Sequence, residues 1–106
     1  MAVRTPVRVL VVDDEPLIRE TLGEYLTQEG FTATVCADGS AALARAAAEP
    51  FDVALCDIQL PDMEGIGLLT RLRTLNPHAG VLLITAYATV ENAVEAFQCE
   101  IGRAHV

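Results

Sequence analysis

With 106 residues, the chain has room for one domain built on a single core and, in expectation, one site. Hydrophobic residues make up 52% of it, yet no apolar run reaches the length of a membrane span, so no membrane partner is expected. The formal charge of −8 argues against direct contact with a nucleic-acid backbone, and the seven cationic side chains are all arginines, with no lysine.

The N-terminus, MAVRTPVRVLVVDDE, runs its apolar stretch straight into three acids and lacks the cleavage pattern of a secretory signal. A cytoplasmic location is expected. Residues 7–12, VRVLVV, form a valine-rich run that predicts a buried parallel strand. Pro16 suits a first helical turn, and Leu17, Ile18, Thr21, Leu22, Tyr25 and Leu26 make one stripe before Gly30 stops it. Residues 31–36 read as a second strand and Asp38-Gly39 as a turn, with Ser40 capping an alanine-rich helix that runs to Ala48.

Residues 53–56 predict a third strand, and Leu68, Leu69, Leu72 and Leu75 a helix closed by Asn76-Pro77. Residues 81–84 predict a fourth strand, and Thr89 can cap a last helix, VENAVEAF. Strand and helix thus alternate four times, which implies a parallel sheet with helices on both faces and right-handed crossovers. Cys36, Cys56 and Cys99 have no paired spacing and read as free structural thiols, and His78 and His105 as surface residues.

Oxygen-bearing side chains close three of the strands: Asp13 and Asp14 after the first, Asp57 after the third, Thr85 after the fourth. Ligands of open parallel sheets bind outside the carboxyl ends of the strands, so adjacency of strands one, three and four would gather these side chains in one pocket. Clustered carboxylates repel unless one takes up a proton or a cation neutralises them. Oxygen donors without nearby His or Cys favour a hard divalent ion such as Mg²⁺. In that setting Asp57 could attack phosphorus and carry an aspartyl phosphate, while Thr85 could donate to a phosphoryl oxygen. Taken singly, each of these residues is as well explained by a solvated strand end or turn; their joint placement carries the reading.

In LVVDDE, DIQLPDMEG and ITAYATVENAVEAF, starting at Leu10, Asp57 and Ile84, the chain resembles the receiver domain of two-component response regulators. The resemblance implies a flavodoxin-like doubly wound sheet, strand order 2-1-3-4, in which Asp57 accepts a phosphoryl group from a histidine kinase or phosphotransfer protein. It implies Mg²⁺ held by Asp14, Asp57 and the carbonyl of Gln59, with Asp13 acting through water, and a switch formed by Thr85 and Tyr87. Pro61 and Gly65 fit the family's loop after the phosphorylated aspartate. The phrase TAYATVENAVEAF is similar to receivers of the enhancer-binding, nitrogen-regulatory type, which act in transcription regulation.

The family's fifth strand ends in a Lys-Pro pair whose lysine contacts the phosphoryl group, and this chain has no lysine. Residues 1–99 are therefore expected to be an incomplete receiver, and 100–106, EIGRAHV, a non-native tail that translates an adapter-like sequence. The fourth strand, VLLIT, would then be an exposed edge through which a homodimer could form. Without the lysine, phosphorylation should be slower. The domain is expected to be no enzyme beyond handling its own phosphoryl group. The alternatives are an interaction module that never carries phosphate and an aspartyl-phosphate phosphatase; the phosphatases carry DxD, whereas Asp57 is followed by Ile58 and Gln59.

Overall fold

The structure, a computed structural model, describes residues 6–84. Seven elements alternate along them: β1 (Arg8–Val12), α1 (Pro16–Gln28), β2 (Thr32–Cys36), α2 (Gly39–Ala48), β3 (Val53–Asp57), α3 (Gly65–Leu75) and β4 (Gly80–Ile84). The strands form one parallel sheet in the order β2-β1-β3-β4. This is the expected order. The expected last helix, with its cap at Thr89, lies outside the described residues, as do Cys99, His105 and the tail 100–106.

Strand periodicity of two divides the core cleanly. Leu10, Val12, Ala54 and Cys56 face Ala42 of α2 and Leu68 and Leu72 of α3, whereas Val9, Val11, Val53 and Leu55 face Leu22 and Leu26 of α1. Each fully buried leucine contributes about 1.5–3 kcal/mol, so these helix–sheet contacts set the strand positions that everything at the carboxyl edge depends on. Cys36 and Cys56 are free and buried, as the sequence suggests. Burial raises the pKa of the Cys36 thiol, and burial with the neighbouring Cys36 pushes that of Cys56 up to about 12, which keeps both thiols protonated and inert.

Local chemistry explains the element ends. Pro16 opens α1, and at its far end Gly30, with φ of 89°, lets the chain turn: the Phe31 N–H donates to the Leu26 carbonyl (2.9 Å) and the Gly30 N–H to that of Thr27 (3.1 Å). That pair of bonds is a Schellman ending. The N-cap of α2 is Asp38 and not Ser40, because the chain is still extended at Asp38 and its carboxylate accepts from the Ala41 N–H at 2.8 Å. Strand β3 runs one residue further than expected, through Asp57. Leu17 does not join the α1 stripe and is 67% exposed, since it lies five positions, or about 140° around the helix, from Leu22. Leu75, on the last residue of α3, is also exposed.

Gly65 starts α3 where it presses on the backbone leaving β3. A Cβ there would stand 2.5 Å from the Asp57 carbonyl oxygen and 2.8 Å from the Ile58 Cα, while one on Gly67 would meet nothing within 4 Å. Gly65→Ala should therefore destabilise the domain by about 2 kcal/mol or more, and Gly67→Ala should stabilise it by roughly 0.5–1 kcal/mol. Denaturant unfolding of the two variants checks the pair; equal effects would contradict it.

Candidate functional site

Register brings the acids together. Val12 pairs with Cys56 across β1 and β3, so the next residues, Asp13 and Asp57, leave the sheet side by side. Asp14 follows directly, and one carboxylate oxygen from each of the three lies within 4.8 Å of the others. Their surroundings differ. Asp13 is buried at 3% exposure, Asp57 is half-buried at the end of β3, and Asp14 is open to solvent.

Hydrogen bonds fix the two inner carboxylates. The Asp13 N–H donates to the Cys36 carbonyl (3.1 Å), and the Arg19 guanidinium to the Asp13 carbonyl (2.8 Å). The Glu15 N–H donates to Asp13 Oδ1 at 2.8 Å, and the Gln59 N–H to Asp57 Oδ1 at 3.1 Å. Both are bonds of the kind that let an aspartate close a turn on its own backbone, and each leaves the second oxygen available. Ile58, beyond Asp57, donates to the Ile84 carbonyl at 2.9 Å, holding the end of β3 against β4.

Burial raises the pKa of Asp13, and the negative charges of Asp57, Asp14 and Glu15 add to that rise against the opposing Glu15 N–H bond. At an effective dielectric of about 20, two unit charges near this separation repel by roughly 3 kcal/mol, a large fraction of a small domain's whole stability. Solvent around Asp14 reduces its share. A hard divalent cation would answer this repulsion. The donor set fits Mg²⁺: three carboxylates close enough to share one ion, with no nitrogen or sulfur donor in the group.

Of the expected site residues, Asp13, Asp14 and Asp57 converge. Gln59 is tied to the Asp57 carboxylate through its N–H and pairs with Glu64 in a single antiparallel bridge. Thr85 and Tyr87 lie outside the described residues; Ile84, which precedes Thr85, is paired with Asp57. A residue that sequence reasoning missed is Asp62, which reaches from the loop after β3 to the start of α2. A cavity of about 50 Å³ lined by Arg8, Thr32, Arg45 and Phe51 lies at the opposite, amino-terminal end of the strands, away from these acids.

Residues 9–103 match the family described as the response regulator receiver domain. The chain belongs to that family. It is 46% identical to the probable transcriptional regulatory protein TcrX of Mycobacterium tuberculosis over 89 residues, 84% of this chain and 38% of that one. It is 41% identical to the regulatory protein AtoC of Escherichia coli over 92 residues, 87% of this chain and 20% of that one. The receiver thus spans well under half the length of these relatives. A solved structure of the response regulator protein TrrA from Thermotoga maritima, in complex with Mg(2+)-BeF, superposes with a TM-score of 0.71 at 36% identity, covering 77% of this chain and 71% of that one. Among the receiver's described residues, no helix is long and apolar enough to cross a membrane.

The raised Asp13 pKa gives a signed prediction. An acid with a raised folded-state pKa destabilises the fold as pH climbs from its ordinary value, about 4, through the raised one. Asp13→Asn, which keeps the acceptor for Glu15, should therefore stabilise the metal-free domain by about 1–3 kcal/mol at pH 7 and by almost nothing near pH 3.5. Added Mg²⁺ should stabilise the wild type more than the variant. Thermal melts across pH, with and without Mg²⁺, check both signs, and a variant less stable at pH 7 without metal would contradict the account.

Proposed function

We propose that this receiver domain accepts a phosphoryl group on Asp57 and that Asp13, Asp14 and Asp57 assemble around Mg²⁺ to allow it. The observation that carries the reading is the convergence of three carboxylates at the carboxyl edge of the sheet, with oxygens within 4.8 Å of one another. The TrrA structure with Mg(2+)-BeF supports the same assignment. Bound Mg²⁺ supplies positive charge that offsets the negative charge on the transferring phosphoryl group. Asp14, Asp57 and the Gln59 carbonyl would hold it, with Asp13 acting through water.

The step needs little covalent machinery from the protein. With Oδ1 of Asp57 engaged by the Gln59 N–H, its other oxygen is free to attack phosphorus. The P–O bond forms as the P–N bond of a phosphohistidine on a histidine kinase or phosphotransfer protein breaks, and the imidazole keeps the electron pair and takes a proton. The Gln59 N–H remains to hold the carboxyl group in place. Thr85 would donate its hydroxyl to a phosphoryl oxygen and, with Tyr87, form the switch. Turnover is confined to the domain's own phosphoryl group.

The name of TcrX, a probable transcriptional regulatory protein, favours transcription regulation as the output of a whole protein of this kind. Incubation with Mg²⁺ and a small-molecule phosphodonor should add one phosphoryl mass to the intact chain, and chelation of the metal or Asp57→Asn should abolish it. Persistence of the increment in Asp57→Asn would move the acceptor elsewhere, and no increment in the wild type would leave the interaction module as the better reading.

A further inference from the structure

Apart from the carboxylate cluster, the most densely bonded polar junction among the described residues joins the loop after β3 to the first turn of α2. Asp62 is exposed, yet both its oxygens are engaged: Oδ1 accepts from the Gly39 N–H (2.9 Å), and Oδ2 from the Ser40 N–H (2.9 Å) and the Ser40 hydroxyl (2.7 Å). The neighbouring Met63 lies across the same helix start. A Cβ on Gly39 would press on the Met63 side chain, so Met63 packs closely over this glycine. Two consecutive loop residues are therefore seated on α2.

Asp62 is more than a helix cap. Asp38 already serves that role on the Ala41 N–H, and it does so locally, three residues away. Asp62 reaches the same turn from 22 and 23 residues further along the chain. The loop between these points is closed on itself: the Leu60 N–H donates to the Met63 carbonyl (3.2 Å), the Gly65 N–H to that of Ile58 (2.6 Å), and Gln59 pairs with Glu64. Its base is bonded to Asp57 through the Gln59 N–H and its tip to α2 through Asp62.

We propose that Asp62 is a positioning residue for the phosphoryl site, a latch that holds the 58–64 loop on α2 and thereby orients the Asp57 carboxylate and the Gln59 backbone for the metal. The proposal rests on the assignment of Asp57 and Gln59 given above. Groups that orient metal ligands through hydrogen bonds typically change affinity by roughly 10–100-fold when removed, and Asp62 acts one step further out, so a shift of about 3–10-fold is expected.

The test is calorimetric Mg²⁺ binding to the full chain, together with phosphorylation rate against Mg²⁺ concentration using a small-molecule phosphodonor. Asp62→Ala should raise the apparent Mg²⁺ Kd by about 3–10-fold while leaving the rate at saturating Mg²⁺ within about twofold. Ser40→Ala, which removes one of the three bonds, should shift Kd in the same direction by less, and Asp62→Asn should fall between wild type and Asp62→Ala. A merely structural role would lower the melting temperature without changing the Kd of the folded protein. Wild-type Kd in folded Asp62→Ala overturns the inference alone; if that variant does not fold, unchanged Kd in Ser40→Ala overturns it. Absence of Mg²⁺ binding by the wild type overturns the functional reading and this inference with it.

Discussion

The mutual repulsion of Asp13, Asp14 and Asp57 is the constraint around which the carboxyl edge of this domain is organised. Left to itself, a chain would keep three carboxylates apart or neutralise one of them; burial raises the pKa of Asp13, and the charges of Asp57 and Asp14 add to that rise. They stay together because β1 and β3 are adjacent and in register, with Val12 opposite Cys56. That register is enforced by the apolar faces on both sides of the sheet, whose leucines and valines are almost completely buried. The core is thus the source of the strain, and a cation held among the three acids would complete the balance.

The connections matter as much as the strands. After β3 the chain must leave the sheet, turn past the site and enter α3 at once, which brings Gly65 against the Asp57 and Ile58 backbone and demands a residue without a side chain. The loop so formed carries Gln59 at its base and Asp62 at its tip, and it touches both the site and α2. A sheet that gathers the acids and a loop that bonds one of them, Asp57, are separate devices, joined through the Gln59 and Ile58 N–H groups and the close approach of Gly65.

Much of this was legible in the residues. The valine-rich run before Asp13 and the short apolar run before Asp57 give their strands by composition, and an acid at the end of each marks the edge where chemistry converges in parallel sheets. The alternation with helices implied a parallel sheet, and its strand order came from the resemblance to receivers. What eluded the sequence were features set by tertiary contact. Ser40 looks like a good cap, but Asp38 takes that role and Ser40 turns its hydroxyl to Asp62, a partner 22 residues away that no local period announces. Leu17 fits a helical stripe by spacing, yet it sits too far around α1 from Leu22 to reach the sheet. For Asp62 the signal was present but ambiguous, because an acid after Pro61 in a loop reads equally well as a solvated turn residue.

The central claim, that the carboxylate cluster is a metal-assembled phosphoryl site, is tested most directly by a crystal structure of the domain grown with Mg²⁺ and a beryllofluoride phosphoryl mimic. The account predicts one cation bound by Asp14, Asp57 and the Gln59 carbonyl, with Asp13 reached through water and the mimic on the Asp57 oxygen not held by the Gln59 N–H. A structure from such crystals with no ion among the three aspartates, or with the mimic bound elsewhere, would contradict it.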